Sequence, residues 1–473
     1  MVDKILGAIK KILPKKMHNW LAPVYHYGIG LFANIIYKFP SHKLIVIGVT
    51  GTTGKTTSVY LIAKVLQEAG YKVGYTSTAM FCDGEKEWLN NKKMTMVGRF
   101  FTHQILAKMV KNGCQYAIVE TSSEGIVQYR HRFINYDVLV FTSLYPEHIE
   151  SHGGFENYKE AKGMLFAHLR DCRTKYVDDQ KRVHKTETGM KKLQFNRVKK
   201  AIIVNGDDKY SEYFLNFWAE EKFKYRVQAE PKIKDDKVEK NPYYHKVVAS
   251  SLEISSNGTS FYLDGQRIAL NLLGGFNSSN AMNAICVALS QGIKIDKIKD
   301  GLEKVFGIPG RLERINEKQN FTVIVDYAFE PKAVEKLYET VKLIPHQKVI
   351  HVLGSAGGGR DMSRRPILGK IAGENADYVV ITNEDPYDED PQIIIDQVAI
   401  GAEKGGKTEE KNLFRIMDRR EAIQKALSLA QEDDIVLITG KGSEQAIVVK
   451  NNEKLPWDDR EVVKEELKRL LGK

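Results

Sequence analysis

Gly48-Val-Thr-Gly-Thr-Thr-Gly-Lys-Thr-Thr57 decides how the first half of the chain folds. An apolar run, Leu44-Ile-Val-Ile47, precedes it, and a helical pattern, Tyr60-Leu-Ile-Ala-Lys-Val-Leu66, follows. Strand, glycine-rich turn and helix start form the context of a phosphate-binding loop. In such a loop the backbone N–H groups turn inward around phosphate oxygens, and the helix N-terminus adds partial positive charge. Lys55 can then reach the β- and γ-phosphates, and the Thr56 hydroxyl suits Mg²⁺. Gly51, Thr52, Thr53, Gly54 and Thr57 complete the cradle. The strict G-x-x-x-x-G-K-[ST] form places glycine at position 49, where this chain has Val49; Gly48 and Gly51 flank that place.

Outward from the loop, strand-like runs at 45–49, 117–120 and 138–141 alternate with helical patterns such as 101–112. This alternation predicts an α/β fold with a parallel sheet and crossover helices. Residues 181–200 hold eight basic residues and one acidic and read as a charged surface insertion. Residues 226–246 are similarly charged and irregular. Short alternating strands are expected over 249–273, and Gly274-Gly-Phe-Asn-Ser-Ser-Asn280 opens a helix to about residue 291. Phe306-Gly-Ile-Pro-Gly310 reads as a linker. A second alternation follows, with strands at 321–326, 348–353, 378–382 and 435–439. Helices are expected between them at 332–342, 365–374, 391–404 and 420–431. The expected division is a short helical segment at 1–42, a nucleotide-binding parallel-sheet domain at 43–307 and a Rossmann-like α/β domain at 308–473.

With 473 residues, the chain is too long for one ordinary domain. Its 71 basic and 60 acidic residues leave a net charge of +11, which favours anionic partners. No nucleic-acid motif accompanies that charge, so no nucleic-acid partner is expected. Cys82, Cys114, Cys172 and Cys286 lie far apart without a C-x-x-C pair, which argues against a disulfide framework or a zinc ribbon and fits a reducing cytoplasm. Residues 1–16 pair five lysines with an apolar stripe, and 20–37 are largely apolar. Pro23, His26, Asn34 and two glycines speak against a membrane span there. Two expectations stand for this segment: a helical hairpin packed on the protein, or peripheral contact of residues 1–40 with a membrane surface, lysines toward anionic lipid.

Glu120 closes a strand and precedes Thr121-Ser-Ser-Glu-Gly125, while His148 follows the strand ending near Thr142. Strand ends are where α/β sheets place ligands, and a carboxylate there can hold the Mg²⁺ of a bound nucleotide. Together with the loop, these segments resemble the Mur ligases, ATP-dependent enzymes that join amino acids to muramoyl peptides. The likeness is greatest to the branch of UDP-N-acetylmuramoyl-tripeptide synthetases. It is carried by Gly51-Thr-Thr-Gly-Lys-Thr-Thr57, Glu120-Thr-Ser-Ser-Glu-Gly125 and Glu147-His-Ile-Glu-Ser-His-Gly153. It continues through Tyr158-Lys-Glu-Ala-Lys-Gly-Met-Leu-Phe166, Asn205-Gly-Asp-Asp208, Gly275-Phe-Asn-Ser-Ser-Asn280, Pro309-Gly-Arg-Leu-Glu313 and Val325-Asp-Tyr-Ala328. Arg364-Arg-Pro366, Gly440-Lys-Gly442 and Asp458-Asp-Arg-Glu461 complete it.

The resemblance implies ATP and Mg²⁺ as cofactors, and as partners a muramoyl-peptide acceptor and a free amino acid. It implies a cytoplasmic enzyme, expected as a monomer. Lys55, His148 and Lys162 would be catalytic, and Thr56, Glu120, His148 and a carbamylated Lys162 would hold metal. Asn277, Asn280, Arg311 and Asp326 would join the loop at the nucleotide. Thr95, Ser122 and Arg130 would face the acceptor, and Arg360, Glu384, Asp385, Tyr387, Gly440 and Glu444 would form the amino-acid pocket.

The family pattern breaks in three places. Only 42 residues precede the expected nucleotide domain, so the family's usual UDP-gripping domain is expected to be missing or replaced. That favours, as an alternative, a lipid-linked or other γ-carboxylate acceptor. The family's Asp-Asn-Pro-Arg reads Glu384-Asp-Pro-Tyr387 here, and Tyr387 cannot make a bidentate carboxylate pair, which disfavours diaminopimelate. The added acidity of Glu384 and Asp385 suggests a cationic side chain such as lysine or ornithine. Finally, Phe329, Glu330 and Ser443 replace residues common in the family, which bears on substrate identity more than on ligase chemistry.

Overall fold

The computed structural model of the protein describes residues 15–146, 152–184, 195–230, 243–359 and 362–472, and only the backbone of 15–24. Its first helix, α1 (Lys15–Ile36), is continuous through Pro23. The apolar stretch at 20–37 is therefore one continuous helix as far as Ile36. The basic stretch that precedes it lies outside the described residues. Gly30, Ala33 and Asn34 face inward. A Cβ on Gly30 would stand 2.8 Å from the Phe133 ring, so glycine lets the helix seat there.

The strands β1 (Ile45–Thr50), β2 (Val73–Thr76), β3 (Met80–Cys82), β4 (Glu87–Leu89), β5 (Tyr116–Glu120) and β6 (Val138–Phe141) come first. Next are β7 (Lys175–Val177), β8 (Val183–His184) and β9 (Asn196–Val198), which form a small antiparallel sheet at the edges of the basic insertion. The tip of that insertion, 185–194, lies outside the described residues. β10 (Ala201–Asn205), β11 (Glu221–Val227), β12 (Tyr244–Ser255), β13 (Gly258–Leu263) and β14 (Gln266–Leu270) complete the larger body. The main sheet has eleven strands in the order β14-β13-β12-β11-β10-β6-β1-β5-β2-β3-β4. It is parallel from β12 through β2 and antiparallel at both margins. The charged stretch at 226–246 is thus less irregular than its composition suggests: its ends pair in β11 and β12.

Alternation along β1 divides the core. Ile45, Ile47 and Val49 point into one apolar layer, Leu44 and Val46 into the other. Helices α2 (Lys55–Glu68) and, later in the chain, Phe276–Ser290 cover the first layer. The second is covered by α3 (Arg99–Lys111) and, beyond the short α4 (Ser123–Val127), by α5 (Phe155–His168). A parallel sheet buried on both faces explains why its strands read as unbroken apolar runs. The short α6 (Ser211–Leu215) precedes that later helix, α7 (Phe276–Ser290), and α8 (Ile295–Glu303) ends the larger body.

The expected linker is pinned: a Cβ on Gly310 would lie 2.1 Å from the Ser443 nitrogen, and Ile308 bridges Arg311. Beyond it come β15 (Glu313–Ile315), β16 (Thr322–Asp326), β17 (Val349–Leu353), β18 (Tyr378–Ile381), β19 (Leu413–Arg415) and β20 (Ile435–Thr439). They form one sheet in the order β15-β16-β20-β17-β18-β19. One face carries α9 (Pro331–Val341), α10 (Arg364–Asn375) and α11 (Pro391–Lys404); the other carries α12 (Arg419–Leu429) and α13 (Asp459–Leu470). A hairpin of β21 (Ala446–Val449) and β22 (Glu453–Pro456) follows β20.

Burial pushes His103 down to about 4, and His131 and His351 to about 3. Unfolded, each would take a proton near 6.5, so between pH 6.5 and 3 the unfolded chain binds more protons and stability falls as pH falls. His351 bridges the Tyr338 hydroxyl (2.7 Å) and Thr439 Oγ1 (2.9 Å). His351→Gln should flatten the acid limb of a urea-unfolding series, because every tenfold difference in proton affinity between the folded and unfolded histidine is worth about 1.4 kcal/mol. An unchanged slope would refute the assignment.

Candidate active site

β1 ends at Thr50 and α2 begins at Lys55, leaving 51–54 as the loop between them. β1 lies between β5 and β6, where neighbouring strands carry the chain to opposite sides and open a crevice at the carboxyl ends. The Thr52 N–H donates to the Ser143 carbonyl (2.8 Å), and Thr142 Oγ1 donates to the Thr53 carbonyl (2.5 Å). Two glycines are required here. A Cβ on Gly51 would fall 1.9 Å from Thr142 Oγ1, and one on Gly54, at φ +79°, would fall 2.4 Å from Asn280 Oδ1. The Lys55 ammonium donates to the carbonyls of Gly51 (3.0 Å) and Thr52 (2.7 Å), and the Lys162 ammonium donates to Gly51 from α5 (2.9 Å). Two cations thus converge on one loop, beside the positive end of α2.

Glu120, 1% exposed, closes β5 against the loop. Its Oε2 accepts from Thr56 Oγ1 (2.9 Å) and the Thr78 N–H (2.8 Å), and its Oε1 accepts from Thr78 Oγ1 (2.8 Å). A carboxylate and a hydroxyl at the mouth of a phosphate loop are hard oxygen donors, which fits Mg²⁺ completed by phosphate and water. Among the described residues no group of three or more His, Cys, Asp or Glu side chains could hold a metal without such help. His148 lies outside the described residues. Lys162 is buried with its ammonium 4.3 Å from the Tyr158 ring centre, and Tyr158 hydrogen-bonds Thr52 Oγ1 (3.2 Å). His152 is held below its ordinary pKa by burial and by the nearby Lys162 cation.

Further residues border the cavity beside the loop. Asn280 Nδ2 donates to Asn277 Oδ1 (2.9 Å), and Asn277 Nδ2 donates to the Leu273 carbonyl (2.7 Å). From beyond the linker, Arg311 stacks over Tyr327 (4.3 Å) and its Nη2 reaches Thr56 Oγ1 (3.4 Å). Asp326 borders the same cavity, but its carboxylate accepts from the backbone N–H groups of Leu312 and Ala328, both 2.7 Å. Burial raises its pKa against the pull of Arg311. Its evident work is to shape the two loops that carry Arg311 and Tyr327.

One cavity of about 660 Å³ joins these groups to residues of both sheets. Thr95, Ser122, Arg130, Tyr387 and Glu444 border it. Ser122 caps α4, accepting from the Gly125 N–H, and Arg130 is tied to Gln128 and the Met96 carbonyl. Glu384, Asp385 and Gly440, expected in the amino-acid pocket, lie a layer behind its wall. A Cβ on Gly440 would stand 2.3 Å from Glu384 Oε2, and that buried oxygen has no hydrogen-bond partner among the described residues. Burial and the neighbouring Asp385 raise the Glu384 pKa. Arg360 lies outside the described residues. The added acidity expected from Glu384 and Asp385 is reduced by half: Asp385 is paired with Lys441 and Lys93, as is Glu444, whereas Glu384 makes no ion pair among the described residues. Sequence reasoning missed Lys93, Lys441 and Thr78. Lys441 was in sight within Gly440-Lys-Gly442, but Asn90-Asn-Lys-Lys-Met-Thr95 reads as a solvated charged turn.

Residues 49–201 match the Mur ligase middle domain, and 310–442 match the glutamate ligase domain of Mur ligases. The chain is 36% identical over 438 residues to a UDP-N-acetylmuramyl-tripeptide synthetase of Borreliella burgdorferi, covering 92% of this chain and 78% of that one. It is 32% identical over 449 residues to a UDP-N-acetylmuramoyl-L-alanyl-D-glutamate–2,6-diaminopimelate ligase of Clostridium tetani, covering 94% and 81%. A solved structure of a ligase with that second name superposes with a TM-score of 0.55 at 26% identity, covering 91% of this chain and 79% of that chain. Folylpolyglutamate synthase of Mycobacterium tuberculosis shares the fold, with a TM-score of 0.60 at 16% identity, covering 93% and 94%.

Gly54→Ala should weaken binding of a nonhydrolysable ATP analogue at least about tenfold by calorimetry, because a left-handed residue with a Cβ costs roughly 1–2 kcal/mol before the clash with Asn280. Wild-type affinity in a folded variant would show that the loop does not grip phosphate.

Proposed function

This chain belongs to the Mur ligase family of ATP-dependent ligases, and we propose that it joins a free amino acid to the terminal carboxylate of a UDP-linked muramoyl peptide in cell-wall synthesis. The observation that carries the reading is the single cavity in which the phosphate loop, Glu120 and Lys162 meet Arg311 from the second sheet. An amide-forming ligase has to bring a triphosphate, a carboxylate and an amine to one dry place, and elements from two bodies can do so on closure.

Lys55 turns from the Gly51 and Thr52 carbonyls onto the β- and γ-phosphates. The loop N–H groups and the start of α2 hold the same oxygens. The γ-phosphoryl group passes to an oxygen of the acceptor carboxylate, leaving ADP and an acyl phosphate. Arg311, already beside Thr56, offsets charge on the transferring group. Arg130, Ser122 and Thr95, which border the same cavity, orient the acceptor. The amine of the amino acid then attacks the acyl carbon, loses a proton, and inorganic phosphate leaves. Bound through Thr56 and Glu120, Mg²⁺ would draw charge from the phosphoryl oxygens. Lys162 would act as a carbamate: its deprotonated amine would add to CO₂ with loss of a further proton, giving an anionic oxygen that, with His148, would hold a second metal.

A second reading concerns location. On α1 and just beyond it Tyr27, Leu31, Phe32, Ile35, Ile36 and Phe39 are exposed, a stripe bordered in sequence by Lys15, Lys16, Lys38 and Lys43. No helix among the described residues is long and apolar enough to cross a membrane. The stripe and its lysines support contact of a cytoplasmic enzyme with an anionic lipid surface.

Lys55→Ala and Lys162→Ala should each lower Mg²⁺- and acceptor-dependent phosphate release by about 10²-fold or more, the scale of losing a group that stabilises developing charge. Wild type equilibrated with ¹³C-bicarbonate should show a carbamate resonance absent from Lys162→Ala; full activity of Lys162→Ala would remove it from the metal site. The protein should float with phosphatidylglycerol vesicles and not with phosphatidylcholine ones, and Phe32→Glu with Ile36→Glu should abolish flotation. Equal recovery of wild type and variant would end the membrane reading.

A further inference from the structure

Lys93 reaches the cavity from the segment between β4 and α3, in a left-handed backbone conformation with φ +53°. Its neighbours hold that segment. Asn90 Nδ2 donates to the carbonyls of Ser77 (2.8 Å) and Met94 (3.0 Å), and Lys454 Nζ, from the other body, donates to the Lys92 carbonyl (3.1 Å). The Lys93 side chain is 5% exposed, with its ammonium 2.5 Å from Asp385 Oδ2 and 3.0 Å from Glu444 Oε2. Lys441 binds the same two carboxylates, 2.9 Å from Asp385 Oδ1 and 2.8 Å from Glu444 Oε2. The Val448 N–H (2.7 Å to Asp385 Oδ1) and the Tyr327 hydroxyl (3.3 Å to Glu444 Oε1) take up further acceptor capacity.

Two ammonium groups therefore face two carboxylates in a nearly dry wall of the amino-acid pocket, while the third carboxyl group, Glu384, is buried a layer behind that wall, where burial and Asp385 raise its pKa toward the uncharged form. Leaving a buried charge unpaired is costly, so these two carboxylates offer no vacant anion to an incoming side-chain ammonium. Take Lys93 away, and Asp385 and Glu444 would share Lys441 alone. One carboxylate would be in surplus, which is the seat a cationic side chain requires.

We infer that Lys93 is a specificity-determining residue: by completing this ion cluster from the opposite body, it turns the amino-acid pocket away from side chains bearing an ammonium group and toward uncharged ones. The cation works as a repulsive element against the wrong substrate and as a contact between the two bodies. The inference rests on the ligase reading above.

The test compares full-length wild type, Lys93→Met and Lys93→Arg, with Lys93→Gln as a second neutral variant should the Met form fail to fold. Phosphate release is followed with Mg²⁺-ATP, a UDP-linked muramoyl dipeptide, and either ornithine, lysine or a set of uncharged amino acids. The neutral variants should raise kcat/KM for ornithine or lysine relative to the best uncharged amino acid by about tenfold or more, the size of one charge contact in a specificity ratio, while Lys93→Arg keeps the wild-type ratio. Calorimetric titration with ornithine reads the same gain without turnover. A wild type that already prefers ornithine or lysine overturns the inference, as does a folded neutral variant with neither the kinetic nor the calorimetric gain. Acceptor-independent behaviour of the wild type would instead refute the ligase reading, with the titration still deciding the role of Lys93.

Discussion

The carboxylate of Glu120 holds the site together. Buried at the end of β5, it accepts from Thr56 at the start of α2 and from both the backbone and the side chain of Thr78 beyond β2. One side chain thereby sets the spacing of three neighbouring strands at their carboxyl ends. With its own proton on Glu120, the Thr78 hydroxyl oxygen accepts from the hydroxyl of Thr95 (3.0 Å), two residues from Lys93. A hydrogen-bonded path therefore runs from the mouth of the phosphate loop to the ion cluster against the second body. A buried anion with its donors satisfied is rigid, and rigidity here is what a phosphoryl-transfer site needs.

The second constraint is the closeness of the two bodies. Gly310 lies against Gly442 and Ser443, Arg311 reaches Thr56, and Lys93 and Lys454 bind across the cleft. Each of these contacts is polar or depends on a glycine. Leu273 of the larger body adds an apolar contact by packing into the core of the second, and the charge contacts sheltered from water in the cleft are stronger than they would be at the surface. The buried apolar layers on both faces of each sheet keep the bodies themselves stiff while the cleft between them works.

Much of the fold was legible because its strands are fully buried. Runs such as Ile435–Thr439 and Val138–Phe141 are apolar on both faces and stand out at once. The helix at Pro391–Lys404 was equally plain, with proline at its first turn and Asp390 as its cap. The short elements were not legible. β15 and β19 have three residues each, and β22, Glu453–Pro456, is exposed throughout, so none carries a burial pattern of its own. Pairing with a neighbour makes them strands, and that neighbour is distant in sequence or separated by a turn. The reach of α1 through Pro23 was hidden for a related reason: its contacts lie on α3 and Phe133, far along the chain.

By itself the sequence determined the chemistry available at the phosphate loop. Gly51, Gly54, Lys55 and Thr56 act through local backbone geometry, and spacing within a dozen residues is enough to recognise it. It also determined the ligase family, through ordered motifs whose residue types cannot be exchanged without loss of charge or conformation. Only the tertiary structure decided which charges remain free. Lys93 meets Asp385 across 292 positions of chain, and neither residue's neighbours announce the other. A lysine in a charged turn and an acid in a pocket motif look respectively solvated and available. Burial makes them partners, because in a dry wall an unpaired charge costs more than any preference written in the local sequence can offset.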